Sequence, residues 1–205
     1  MVGRFAGTIG RATRKLHQRF VRDQRGVSAI EFGMLAIPFF GVLMGIFMNS
    51  YVLFSQTSLD YAAYHAARQV MTGQIQNNST IVDAKSFTQQ VMCGATSNLP
   101  SYMDCNKLQV DMRVLPNFAS SNPAAIFAPG GTQQFCPGSG SSYVMLSLNY
   151  PLPTLFPLLT GWVTNVGLST ASTTVDSSGH PVRMLESSIV LRNEPFTSTT
   201  TLPGC

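Results

Sequence analysis

The feature that most constrains this chain is an uncharged apolar run near its N-terminus. No Asp, Glu, Lys or Arg occurs between Phe32 and Phe54, a stretch of 23 residues. A helix needs about 20 apolar residues to cross the hydrocarbon core of a bilayer. This run is therefore long enough to span a membrane, and we expect the rest of the chain to fold on one side of that membrane.

The helical pattern continues beyond the apolar run. Small and apolar residues recur there at helical spacing, namely Leu59, Ala62, Ala63, Ala66, Ala67, Val70 and Met71. Gly73 follows them, and glycine is the preferred residue just beyond the end of a helix. We therefore predict one helix over residues 28–72. Its stripe of small and apolar residues is expected to dock on a sheet, because alanines permit a close approach; the stripe is Leu59, Ala63, Ala66 and Val70.

Basic residues are concentrated before the run. Seven Lys or Arg and one Asp lie in residues 1–26, whereas the whole chain has a net charge of +4. Positive charge stays on the cytoplasmic side of a membrane, so we predict a cytoplasmic N-terminus and an exported C-terminal part. A mitochondrial transit peptide also fits the composition of residues 1–26. Since only six Lys or Arg are spread over the rest of the chain, we expect no nucleic-acid partner.

All the cysteines lie on the predicted exported side. They are Cys93, Cys105, Cys136 and Cys205. Disulfides persist in oxidising compartments, and four cysteines allow three pairings. Proximity in the sequence favours Cys93 with Cys105 and Cys136 with Cys205. A zinc site is the alternative interpretation, but the chain has no Cys-x-x-Cys pair and only two histidines on that side.

The exported part has the pattern of a small α+β domain. Apolar and polar residues alternate at 108–114, which is the period of a half-buried strand, and Pro116 ends the pattern. We predict further strands at 143–150, 166–175 and 182–192, and short helices at 81–92 and 154–160. The predicted fold class is α+β, with a long N-terminal transmembrane helix that continues into a three- to four-stranded antiparallel sheet domain.

Two interpretations compete for Glu31, at the start of the helix. Ser28 and Glu31 have the S-x-x-E spacing of a capping box, in which each side chain accepts a hydrogen bond from the backbone amide of the other residue. Gly26 stands five residues ahead of Glu31 behind the basic block, and this arrangement resembles the cleavage site of a type IV prepilin peptidase. The resemblance implies cleavage between Gly26 and Val27. Both interpretations are compatible, because the capping box would serve the uncut chain.

Three motifs together resemble the TadE-like proteins of the tight-adherence (Tad) pilus. They are Gly26, Glu31 and Phe32; Asp60-Tyr-Ala-Ala with Ala66-Ala67-Arg68 and Thr72-Gly73; and Asn193-Glu194-Pro195-Phe196. The resemblance implies a pilin-like minor pilin or pseudopilin that acts in pilus assembly for surface attachment and biofilm formation. It also implies that Glu31 meets the new amino terminus of Val27 on an adjacent subunit. The implied partners are a prepilin peptidase, other Tad pilins, the inner-membrane assembly platform and the lipid bilayer.

Small residues within the run support contacts between helices. Gly41 and Gly45 form a small-xxx-small pair, which lets a second helix approach closely. We assign these glycines, with Glu31 and Phe32, to subunit assembly. Pro38 cannot donate its amide to the helix, so a kink or local melting is expected there.

The predicted organisation is a leader at 1–26, a transmembrane helix at 27–54, its periplasmic extension at 55–73 and a disulfide-linked periplasmic domain at 74–205. The histidines are dispersed and no catalytic constellation is present, so we expect no enzyme, cofactor, metal or small-molecule substrate. The alternative function is an uncleaved, signal-anchored periplasmic binding or sensing domain. A secreted enzyme is disfavoured, because the apolar run is longer than that of a signal peptide.

Overall fold

The computed structural model describes residues 27–94, 99–120, 133–155, 174–175 and 179–197. The chain divides into two compact units, Met1–Phe47 and Met48–Cys205. In the described part, the first unit consists of the N-terminal portion of a long helix, and the second contains the rest of that helix and a four-stranded sheet. The predicted α+β class, with a long apolar N-terminal helix and an antiparallel sheet, is confirmed.

The long helix, α1, spans Val27–Met71. These bounds differ by one residue at each end from the prediction. Gly73 has a φ of 77°, the left-handed conformation that ends many helices, so its predicted role as a stop is confirmed. The docking stripe is also confirmed, because its residues are buried in the core of the second unit; they are Leu59, Ala63, Ala66 and Val70.

The sheet has the strand order β1-β2-β4-β3, and each pair of neighbours is antiparallel. The strands are β1 (Gln109–Leu115), β2 (Tyr143–Pro153), β3 (Thr174–Val175) and β4 (Pro181–Arg192). Alternate residues of β2 point into the core shared with α1, namely Val144, Leu146, Leu148, Tyr150 and Leu152. Successive side chains of a strand point to opposite faces, so this alternation fixes which face of the sheet meets the helix.

The opposite face of the sheet holds a small apolar cluster and an ion pair. Leu115 and Met145 form the cluster. Asp111 is fully buried and its carboxylate accepts a hydrogen bond from Nε of Arg113 at 2.7 Å. The backbone amide of Gln134 also donates to this carboxylate, at 2.6 Å. The buried charge is thus neutralised and hydrogen-bonded, as burial of a carboxylate requires.

The predicted helix at 81–92 is shorter than expected. Helix α2 spans Ala84–Phe87 and continues as a π-helical turn over Thr88–Met92. It begins late because Asp83 and Ser86 form a capping box: Asp83 Oδ1 accepts from the Ser86 amide at 2.7 Å, and Ser86 Oγ accepts from the Asp83 amide at 3.1 Å. The hydrogen bonds from Ser86 hold the pKa of Asp83 below its ordinary value.

Strand β2 is longer than predicted, since it continues past Tyr150 to Pro153. The last pair between β1 and β2 joins Gln109 and Asn149, so the remainder of β2 has β4 alone as its paired neighbour. Prolines are tolerated there because one edge of the strand needs no ladder hydrogen bond. Thr154 and Leu155 are not helical, and residues 156–160 of the predicted helix and 166–173 of the predicted strand lie outside the described residues.

Candidate functional site

The first candidate site is the apolar segment, residues 30–47 of α1. Ten of its large apolar side chains are between 51% and 78% exposed, namely Ile30, Phe32, Met34, Leu35, Ile37, Phe39, Phe40, Val42, Ile46 and Phe47. Soluble monomers rarely expose so much contiguous apolar surface, and such surface marks a membrane or protein contact. Within the described ranges, α1 is long and apolar enough to cross a membrane. The helix is thus compatible with a single-pass membrane anchor.

The predicted cleavage and assembly residues lie at the start of this segment. Gly26 lies outside the described residues, and Val27 is the first residue of α1. Glu31 and Phe32 are both exposed, so each can contact a partner. Ser28 lies inside the first turn of α1 and not at the N-cap. Ser28 therefore cannot be the N-cap residue of a capping box with Glu31, because an N-cap residue has a non-helical backbone.

Gly41 and Gly45 present an open surface. A Cβ atom built on either glycine would meet nothing within 4 Å. Residues four apart lie on the same side of a helix, so these two glycines form one shallow site where another helix backbone can approach. Helix α1 is continuous through Pro38, so the local melting that was one of the two expected effects of this proline is not observed.

The second candidate site is a junction where Tyr102 contacts α1. Ser55 is fully buried, its hydroxyl donates to the carbonyl of Tyr51 at 2.8 Å, and Tyr102 Oη lies 2.8 Å from the same hydroxyl. The rings of Tyr51 and Tyr102 are 5.5 Å apart between centroids. Tyr102 is therefore fixed both by a hydrogen bond and by ring packing on one turn of α1.

The loop that carries Tyr102 is held at two further points. Cys93 and Cys105 form a disulfide, which confirms the first predicted pair. The backbone amide of Asp104 donates to Tyr150 Oη at 2.9 Å. Cys136 is also disulfide-bonded, whereas Cys205, its predicted partner, lies outside the described residues. These restraints place Tyr102 in one position relative to α1.

A third contact joins the end of α1 to the segment after β4. Asn193, Glu194 and Phe196 of the Asn-Glu-Pro-Phe motif lie beside Gly73 and the glycine-rich turn at 138–142. Asn193 Nδ2 donates to the carbonyls of Pro137 at 2.9 Å and Ser139 at 3.0 Å. A Cβ atom on Gly73 would stand 2.8 Å from the ring of Phe196. The second and third sequence motifs are thus parts of one contact.

The motifs of this third contact are recognisable in the sequence, but the junction at Tyr102 is not. Ser55 and Tyr102 are 47 positions apart, and Tyr102 stands in a segment with no strand or helix period. No short-range pattern links the two residues. The paired cysteines were the available signal, because they predicted that the chain next to Cys105 is held in place.

The histidine of α1 has aromatic neighbours. The ring centroid of His65 lies 4.5 Å from that of Tyr61 and 6.2 Å from that of Tyr64. In the part of the chain that the structure describes, no group of three or more His, Cys, Asp or Glu is placed to hold a metal ion.

Comparison with protein-family models matches residues 26–68 to the TadE-like proteins. This is the family that the sequence motifs resemble, and the matched interval starts at Gly26 and ends at Arg68 on α1. It covers about a fifth of the chain. The match supports the resemblance of the N-terminal helix to that family. No curated protein and no solved structure matches the chain.

Proposed function

We propose that this chain is a minor pilin-like subunit of a tight-adherence pilus, held in the bacterial inner membrane by α1 until it joins other pilins at the assembly platform. In this role it serves pilus assembly for surface attachment and biofilm formation. The observation that carries the proposal is the coincidence of two features on one stretch. Residues 26–68 match the TadE-like proteins, and the apolar segment inside that interval exposes its side chains.

The proposed topology places residues 1–26 in the cytoplasm, 27–54 in the membrane, and 55–73 and 74–205 in the periplasm. Seven Lys or Arg precede the apolar segment, and basic residues remain on the cytoplasmic side. The disulfide between Cys93 and Cys105 supports the periplasm for the C-terminal part, since disulfides persist in oxidising compartments.

The proposed maturation is cleavage by a prepilin peptidase between Gly26 and Val27. This step would free an amino group at Val27 and leave Glu31 four residues away, inside or at the edge of the hydrocarbon. A carboxylate costs about 2.5 to 3.5 kcal/mol at the centre of a membrane helix, and less near the interface. An ammonium group on Val27 of an adjacent subunit would offset that cost, so the pair would favour assembly.

The proposed packing surface is the side of α1 that carries Gly41 and Gly45. Both glycines are open to a neighbour, and close helix contacts in membranes depend on small residues. Phe32 stands exposed next to Glu31 and would fill the space between adjacent helices near their N-termini. These residues together form the proposed assembly surface.

N-terminal sequencing and intact mass of the protein from native membranes test the maturation. We expect a chain that begins at Val27, and a Gly26→Ala variant that retains residues 1–26. Gly10→Ala is the matched control, since it changes a leader glycine outside the predicted site and should leave processing unchanged. A wild-type chain that retains the leader and stays monomeric would instead support the alternative, an uncleaved signal-anchored binding or sensing domain.

A further inference from the structure

Three exposed apolar side chains of the second unit lie at or next to the turn of α1 that Tyr102 contacts. Leu53 is 58% exposed, Phe54 is 61% exposed and Tyr102 is 44% exposed. Leu53 and Phe54 are the last residues of the apolar run, after which α1 continues with polar residues at 55–58. We call these three residues the junction surface.

The contacts of Tyr102 fix its level along α1. Its hydroxyl lies 2.8 Å from Ser55 Oγ, and its ring packs on Tyr51. Tyr51 and Ser55 are one helical turn apart and lie on either side of Leu53 and Phe54 in the sequence. Tyr102 therefore stands at the same turn of α1 as the end of the apolar run. A bilayer that covers Phe54 must reach the level of Tyr102.

We propose that Tyr102 is a membrane-interface anchor, whose ring enters the boundary between the lipid headgroups and the acyl chains. This inference rests on the membrane-spanning part of the proposed function. Tyrosine suits that boundary because its ring is apolar and its hydroxyl is polar, and membrane proteins concentrate Tyr and Trp there. The occupant is lipid rather than protein because the junction surface continues the apolar run, which the bilayer covers in the proposed function.

The restraints on the loop give this anchor a fixed orientation. The disulfide between Cys93 and Cys105 and the hydrogen bond from the Asp104 amide to Tyr150 lie on the loop that bears Tyr102. A side chain that is held in place before it meets the membrane loses little conformational entropy on contact. The anchor would therefore set the angle and distance of the periplasmic domain from the bilayer surface.

Fluorescence quenching by brominated lipids tests the proposal on the full chain in lipid nanodiscs. Trp162 is the one tryptophan of the sequence, so the variants carry Trp162→Phe as a common background. Tyr102→Trp reports on the junction surface. Tyr64→Trp is the matched control, because Tyr64 is also an exposed tyrosine but lies about two and a half turns beyond Ser55 on α1. Phe39→Trp reports on the middle of the apolar segment.

We expect tryptophan at 102 to lose fluorescence most with bromines near the headgroups, and tryptophan at 39 most with bromines deep in the acyl chains. Tryptophan at 64 should lose little with either. If the tryptophan at 39 is quenched but the tryptophan at 102 is not, the proposal that Tyr102 is an anchor is wrong, whereas the membrane span is supported. No quenching at 39 contradicts the span itself, and with it the proposed function.

A second measurement needs no change at Tyr102. The wild-type chain labelled with 3-fluorotyrosine gives a fluorine resonance for each of its six tyrosines. A lipid that carries gadolinium on its headgroup should broaden the Tyr102 resonance far more than that of Tyr64. Equal broadening of the two resonances overturns the anchor, even if the tryptophan variant does not fold.

Discussion

The backbone amide of Glu194 donates a hydrogen bond of 3.0 Å to the carbonyl oxygen of Met71. The last carbonyls of a helix have no partner within the helix, so this bond satisfies one of them with the residue that follows β4. Two positions further along each segment, the ring of Phe196 lies against Gly73. The end of α1 and the end of the sheet therefore stabilise each other.

Gly73→Ala tests this contact. Gly73 has a φ of 77°, and a Cβ atom there would lie 2.8 Å from the Phe196 ring. The left-handed backbone costs an L-residue roughly 1 to 2 kcal/mol, and displacement of the ring adds about 1 kcal/mol or more. We expect the free energy of unfolding of the periplasmic domain to fall by about 2 to 3 kcal/mol, measured by urea titration with near-UV circular dichroism.

Gly179→Ala is the matched control for this measurement. Gly179 has a φ of 78°, but a Cβ atom there meets nothing within 4 Å, so the variant should lose the backbone contribution alone. Gly73→Ala in a Phe196→Ala background should also cost less than it does in the wild type. Equal losses at Gly73 and Gly179 would show that the Phe196 contact contributes nothing.

Removal of the disulfide should release the loop that bears Tyr102. Cys93 and Cys105 are separated by 12 positions, and a bridge over a loop of that size stabilises a domain by about 3 kcal/mol. Cys93→Ser with Cys105→Ser should lower the free energy of unfolding by about that amount and expose Tyr102 more to solvent. Thermal unfolding gives the first quantity, and iodination of Tyr102 followed by mass spectrometry gives the second.

Tyr102→Phe distinguishes the contribution of the disulfide from that of the hydrogen bond between Tyr102 and Ser55. This variant keeps the disulfide and the ring but loses the hydroxyl that lies beside Ser55. A typical hydrogen bond contributes about 1 kcal/mol, so the loss should be about a third of that of the double serine variant. A double serine variant as stable as wild type would contradict the restraining role of the bridge.

Tyr150 should make the stability of the domain fall in alkaline solution. Burial raises the pKa of Tyr150 above its ordinary value of 10.0, with the Asp104 carboxylate contributing in the same direction. A pKa that is raised on folding means that ionisation favours the unfolded chain. Stability is therefore retained below pH 10 and lost as the pH rises from there through the folded pKa. Urea titrations at increasing pH should show this decline.

Tyr150→Phe supplies the comparison for the alkaline titration. The variant lacks the hydroxyl that accepts the Asp104 amide, so it should be less stable than wild type at neutral pH. The stability of the variant should then decline less above pH 10, because the Tyr150 hydroxyl, whose pKa is raised by folding, has been removed. Parallel pH profiles for the two proteins would show that the pKa of Tyr150 is not raised by folding.

Local periodicity explains which elements the sequence could predict. The stripe from Leu59 to Val70 repeats at helical spacing, and the alternation from Leu108 to Val114 repeats at strand spacing. Each pattern depends on neighbours within a few positions, so the helix and the strands followed from it. Gly73 signalled the end of α1 for the same local reason.

The elements that the sequence predicted poorly depend on residues far apart in the chain. The part of β2 from Tyr150 to Pro153 pairs with β4 and lies beyond β1, which begins at Gln109 opposite Asn149; no local pattern shows this long-range pairing. The apolar residues Ile81 and Val82 suggested an earlier start for α2. The helix begins after Asp83 because Asp83 and Ser86 form its N-terminal cap. The contact between Tyr102 and Ser55 joins residues 47 positions apart, so it depends on tertiary packing.

The assembly residues were predictable as motifs, but their contacts are not a property of one chain. Glu31 and Phe32 are exposed, and Gly41 and Gly45 are open. Within the described part of the chain these four residues are exposed or open, and their proposed partners are other subunits and lipid. Their roles stay predictions, and variants of these residues are the direct way to measure them.

Glu31→Leu should leave membrane insertion intact and impair pilus assembly. The change removes the carboxylate that is proposed to bind the amino group of Val27 on an adjacent subunit, while leucine suits the hydrocarbon better than glutamate does. Membrane fractionation measures insertion, and electron microscopy of the cells counts pili. Asp60→Asn is the control, since Asp60 is also an exposed carboxylate on α1 but lies beyond the charge-free run, hydrogen-bonded to Gln56 at 3.0 Å. Normal piliation with Glu31→Leu would exclude a pairing role for Glu31, because no other acidic residue lies between Val27 and the end of that run.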